Sequence, residues 1–89
     1  MNSRRITITD PEGIHLRVAA EIARISAKDD DTTVVIENIG KGSADGRSII
    51  ELLLLDAESG SKIQLKTDGP HENTIMACLC EFFEGGLGI

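Results

Sequence analysis

The chain opens on a period of two. In Arg5-Ile6-Thr7-Ile8-Thr9 polar and apolar side chains alternate, the pattern of a half-buried strand, and Asp10-Pro11-Glu12-Gly13 closes it with turn residues. From Leu16 to about Lys28 the spacing turns helical: Val18, Ala19, Ile22, Ala23 and Ile25 share one face. Asp29-Asp30-Asp31 ends that helix, because like charge at the negative end of a helix is unfavourable, and predicts a solvated turn. Thr32 to Glu37 is β-branched and predicts a second strand. Gly40-Lys41-Gly42 then turns the chain, and Ser43-Ala44-Asp45 predicts a short third strand at a sheet edge.

Ser48-Ile49-Ile50-Glu51 is a capping box, with a hydroxyl at the N-cap and a carboxylate three residues later. The Leu52 to Leu55 stretch after it makes a short helix that is apolar nearly all round, so one side is buried and another is left for a partner. Ser59-Gly60-Ser61 leads into Lys62-Ile63-Gln64-Leu65-Lys66-Thr67, a clean alternating strand. Gly69-Pro70 opens a last helix, with Pro70 and His71 in its first turn, a core stripe of Ile75, Cys78, Leu79, Phe82 and Phe83, and Gly85-Gly86 as its stop. The order β-α-β-β-α-β-α predicts an α+β fold. It is a two-layer open-faced sandwich, a four-stranded antiparallel sheet with three helices on one face, in a single domain over 1–89.

Composition narrows the partners. The net charge is −6, and the apolar content is twelve Ile and eight Leu against two Phe and no Tyr or Trp. Without a basic footprint or stacking rings, nucleic acid is excluded as a partner, and an acidic surface argues against anionic lipid. No apolar run approaches a membrane span, and Met1-Asn2-Ser3-Arg4-Arg5 is followed by no signal-like apolar stretch. Cys78 and Cys80, two apart on a helix, point away from each other, so no disulfide is expected and a cytoplasmic location fits.

The candidate chemistry sits at the start of the first helix. Its unpaired backbone N–H groups and positive dipole end suit an anion, and the same field keeps the His15 ring neutral and nucleophilic near pH 7. Arg17 adds a planar fork for phosphate oxygens. Together these groups form a local positive island on an acidic surface, suited to taking up and holding a phosphoryl group. The plainer reading makes His15 a cap and Arg17 a solvated charge. His71, beside Glu72 with no arginine near, is read as a surface residue, and Ser48 as an N-cap first and a candidate regulatory phosphosite second. Gly42 to Ser48 fails as a phosphate loop, being one residue short with Arg47 where lysine belongs. The aspartate run lacks the spacing and glycine of a calcium loop, and no metal or other cofactor is expected. An acyl carrier with its arm on Ser48 conflicts with the strands and with Arg47 before the serine.

Three stretches carry a family resemblance: Gly13-Ile14-His15-Leu16-Arg17-Val18-Ala19, Arg47 to Ala57, and Glu84-Gly85-Gly86-Leu87-Gly88. Together they resemble the histidine-containing phosphocarriers (HPr family) of the bacterial phosphotransferase system, of its sugar or its nitrogen branch. The resemblance implies a carrier rather than a free-standing catalyst. It would accept a phosphoryl group on His15 from enzyme I, stabilise it with Arg17, and pass it to an enzyme IIA component. It further implies docking through Leu16, Ala20, Ile49, Ile50 and Leu53, a monomer, and an HPr kinase or regulatory protein acting at Ser48. The pattern departs at Val18, where the family has proline, at Leu16, where it has alanine, and at Glu51, where many members have glycine. The alternative that Val18 and Leu16 raise is a regulatory binding module of the same fold with weak or no phosphotransfer, while the Glu51 charge near Ser48 argues against kinase control there.

Overall fold

A computed structural model describes residues 1–85. Its elements run β1 (Asn2–Thr7), α1 (Leu16–Ser26), β2 (Thr33–Asn38), β3 (Gly42–Asp45), α2 (Ile49–Leu54), β4 (Lys62–Asp68) and α3 (Glu72–Glu84). The four strands form one antiparallel sheet in the order β1-β4-β2-β3, so the short β3 is an edge, as its weak pattern predicts.

Alternation explains the layers. Val34, Ile36 and Asn38 on β2 and Ile63, Leu65 and Thr67 on β4 are buried, and the residues between them are not. One sheet face is therefore covered while the other meets water. Ile22, Leu52 and Leu79, one from each helix, are fully buried in a single core with the strand residues, which places all three helices on the covered face. At the end of β2, the buried Asn38 amide donates to the Leu55 carbonyl at 3.0 Å and ties the sheet to the end of α2.

Several boundaries differ from the sequence reading. β1 runs Asn2–Thr7 rather than Arg5–Thr9; Ile8 instead exchanges backbone bonds with Ser61 and Gly60, beyond the ladder. α1 ends at Ser26, two residues before Lys28, and α2, which starts at Ile49 as its cap predicts, ends at Leu54 with Leu55 as the C-cap. Pro70 lies ahead of α3 rather than in its first turn, and His71 is the N-cap residue. In α3, Met76 and Cys80 are buried with Ile75, Leu79 and Phe83, while Cys78 and Phe82 are only half-buried. Gly85 is the C-cap; Gly86, expected to share that role, lies outside the described residues.

The aspartate run is not a merely solvated turn. Asp29, 18% exposed at its side chain, accepts from the Thr32 hydroxyl and the Asp31 N–H and lies 2.9 Å from His71 Nδ1. The Thr32 hydroxyl first, then His71, hold its carboxyl below the ordinary carboxylate range, against the effect of burial. A carboxyl lowered on folding contributes stability above its unfolded pKa of about 3.9, lost as pH falls through the folded value. Asp29→Asn should therefore be less stable than the parent in urea melts at pH 7, and the gap should be smaller at about pH 3, below the unfolded value, where the lowered carboxyl begins to lose its advantage. A gap of equal size at both pH values would show that the charge plays no part.

Candidate functional site

The first helix begins where a folded-back turn delivers it. The Gly13 N–H bonds the Asp10 carbonyl at 3.0 Å, the Glu12 N–H bonds Asp10 Oδ1 at 2.8 Å, and the Ile14 N–H bonds the Ala57 carbonyl at 2.9 Å. Gly13 takes φ +69°, the left-handed conformation that lets the chain reverse into the helix. His15 is then the N-cap residue of α1, in extended backbone, and its side chain makes no capping hydrogen bond. No acidic residue lies in the first turn of α1, so the positive end of its dipole is not offset from within the helix.

The turn also determines what the ring faces. His15 Nε2 lies 3.4 Å from Asp10 Oδ2 and 4.0 Å from Glu12 Oε2, with the ring 24% exposed. Arg17 Nη2 approaches the same Asp10 oxygen at 3.9 Å, so one carboxylate joins the two residues singled out from sequence. The expected positive island is thus corrected. The Asp10-Pro11-Glu12-Gly13 turn curls back and places two carboxylates against the imidazole. The Glu12 N–H above all, then the His15 ring and the charges of His15 and Arg17, hold the Asp10 carboxyl below the ordinary range, although burial opposes this. Asp10 is the site residue that reading the sequence missed. Its signal was an Asx turn, which aims a carboxylate back along the chain, where only a strand terminator was read.

Asp10, Glu12 and His15 also bring one ligand atom each within 4.8 Å of one another, a spacing that admits a divalent ion, while the Arg17 charge beside Asp10 opposes a cation there.

Ser48 performs the role its motif predicts: it is the N-cap of α2, its hydroxyl accepting from the Glu51 N–H at 3.2 Å. The other half of the box differs from the motif: the Ser48 N–H bonds the Asp45 carbonyl, and the Glu51 carboxylate accepts instead from the Asp45 N–H at 3.0 Å. Arg47 serves the fold, donating to the carbonyls of Ser26, Asp29 and Thr32 and so tying the start of α2 to the loop after α1. Around these helix starts, Leu16, Ala20, Ile50 and Leu53 are exposed, while Ile49 is half-buried against the core. Leu54, not singled out from sequence, is 78% exposed. His71 is exposed apart from its Asp29 contact, 42 residues away in sequence.

Comparison with known proteins agrees on one group. Residues 2–85 match the family described as PTS HPr component phosphorylation site. The phosphocarrier protein HPr of Xylella fastidiosa (strain Temecula1) is 31% identical over 84 residues, covering 94% of this chain and 92% of that protein. The phosphocarrier protein NPr of Escherichia coli K12 is 30% identical over 82 residues, covering 92% and 90%. Among solved structures, HPr-C-His from Thermoanaerobacter tengcongensis superposes with a TM-score of 0.90 at 24% identity, over 100% of this chain and 98% of that one, a likeness of fold.

Proposed function

The chain belongs to the HPr phosphocarrier family of the phosphotransferase system, and on that premise we propose that it accepts a phosphoryl group on His15 from enzyme I and delivers it to an enzyme IIA component. The observation that carries this reading is the placement of His15 at the N-terminus of α1 with its side chain uncommitted to capping. Nε2 faces Asp10 and Glu12, so Nδ1 is the ring nitrogen turned from the carboxylates and the one that takes phosphorus. An incoming phosphoryl group meets the helix dipole and the Arg17 guanidinium, which neutralise its charge.

Leu16 and Ala20 on α1 and Ile50 and Leu53 on α2 supply the apolar surface on which both partners dock in turn, with Leu54 extending it and Ile49 supporting it from beneath. The two helices pack against each other, so one partner surface can reach both. Phosphorylation of Ser48 would place a dianion at the start of α2, beside this surface. Residues 1–89 act in this reading as a single domain. No helix among the described residues is long and apolar enough to cross a membrane.

The test is incubation with labelled phosphoenolpyruvate and enzyme I, followed by acid and hydroxide treatment and peptide mapping. The expected label is acid-labile, stable to hydroxide and confined to the peptide bearing His15. A protein that binds enzyme I yet takes no label would be the regulatory module instead.

A further inference from the structure

Asp10 spends each of its oxygens differently. Its carbonyl accepts from the Gly13 N–H, Oδ1 accepts from the Glu12 N–H at 2.8 Å, and Oδ2 is turned to His15 Nε2 at 3.4 Å. The carboxyl is 9% exposed, so water competes little for that last contact. A neutral imidazole carries its hydrogen on one nitrogen only, and a hydrogen-bond acceptor beside Nε2 favours that nitrogen as the bearer.

We propose that Asp10 is a positioning residue for phosphotransfer, holding His15 in the tautomer with hydrogen on Nε2 and the Nδ1 lone pair free for phosphorus. This rests on the phosphocarrier reading above. In the step, the Nδ1 lone pair forms the N–P bond as the bond from phosphorus to the donor atom of enzyme I breaks, and that electron pair leaves with the donor. The Nε2 hydrogen stays in place throughout. The ring thereby gains a positive charge, and the Asp10 carboxylate lies against the nitrogen that bears the hydrogen. Glu12, at 4.0 Å and 79% exposed at its side chain, is the weaker acceptor.

Asp10→Asn separates this role from the turn. The asparagine Oδ1 still accepts the Glu12 N–H, but the group facing Nε2 changes from a carboxylate oxygen to an amide donor. The preferred tautomer should then reverse. Nitrogen-15 spectra correlating His15 ring nitrogens with ring protons, taken without phosphate at about pH 8.5 where a histidine is neutral, read this directly. The parent is expected to show hydrogen on Nε2, and Asp10→Asn hydrogen on Nδ1. Phosphorylation by enzyme I should slow about 10–100-fold in Asp10→Asn, by analogy with the loss of the partner that orients a metal-bound histidine, with little change in Glu12→Gln. A parent ring with hydrogen on Nδ1 overturns the proposal with no variant needed, as does an Asp10→Asn protein whose tautomer is unchanged. Failure of the phosphocarrier reading is distinct, because it appears as absent label whatever the tautomer.

Discussion

His15→Ala should take no acid-labile phosphoryl group from enzyme I while keeping its fold. The two halves of this expectation rest on different observations. Loss of label follows from removing the nucleophile, for which no neighbour substitutes: the other histidine, His71, lies at the start of α3 with its Nδ1 2.9 Å from Asp29. Retention of the fold follows from how little the His15 side chain does structurally. Replacing an N-cap residue by alanine costs about 0.5–2 kcal/mol when its side chain holds a helix N–H, and His15 makes no such bond. Its backbone carbonyl, which accepts from the Ala19 N–H at 2.9 Å, is unaffected by the substitution. The thermal midpoint should therefore fall by no more than about 5 °C, given about 4–8 °C per kcal/mol for a domain of this size. His71→Ala is the companion variant and should label fully. Label that survives His15→Ala, or vanishes in His71→Ala, would move the phosphoacceptor away from α1.

The reach of the sequence stops where separation begins. His15 and Arg17 stand two residues apart at the start of a helix whose periodicity is plain, so both were visible together. Asp10 was visible only as a strand terminator, because the bend that returns its carboxylate to the ring depends on the left-handed Gly13. Arg47 stands 15 to 21 residues from the carbonyls of Ser26, Asp29 and Thr32 that it binds, and nothing local announces a guanidinium that closes a loop. The contact of His71 with Asp29 has the same character, which is why the aspartate run read as solvated.

Strand prediction shows a similar division. The central β2 and β4 bury one face completely, and their alternation is sharp. At the outer edge, β1 pairs Asn2 with Thr67 and Arg4 with Leu65, so those two side chains share the covered face yet lie at its margin. Polar residues suffice there, and no apolar signal marks the first half of the strand. Ser48 shows the opposite case: a cap needs only its own turn, and it forms as read.

Gly13→Ala should cost more stability than any other single methyl addition near the site. A Cβ at Gly13 would stand 2.1 Å from the Ala57 carbonyl oxygen and 2.9 Å from Glu58 Cα, and both are backbone atoms that cannot swing aside. The backbone is also left-handed there, at φ +69°. Strain of about 1–3 kcal/mol adds to overpacking of about 1–3 kcal/mol, for a total of about 2–6 kcal/mol. At about 4–8 °C per kcal/mol the midpoint falls by roughly 10–50 °C. Relief requires the turn to move off the segment after α2, breaking the Ile14–Ala57 bond of 2.9 Å and shifting the start of α1 with His15 on it. Phosphoryl acceptance should therefore drop at temperatures where the protein is still folded. Gly60→Ala isolates the cause: its φ is +91°, but no atom lies within 4 Å of the added carbon. That variant should lose only the conformational strain, about 1–3 kcal/mol, and label normally. If both variants melt together, the Ala57 contact is not what holds the turn in place, and Gly13 is needed for its backbone conformation alone.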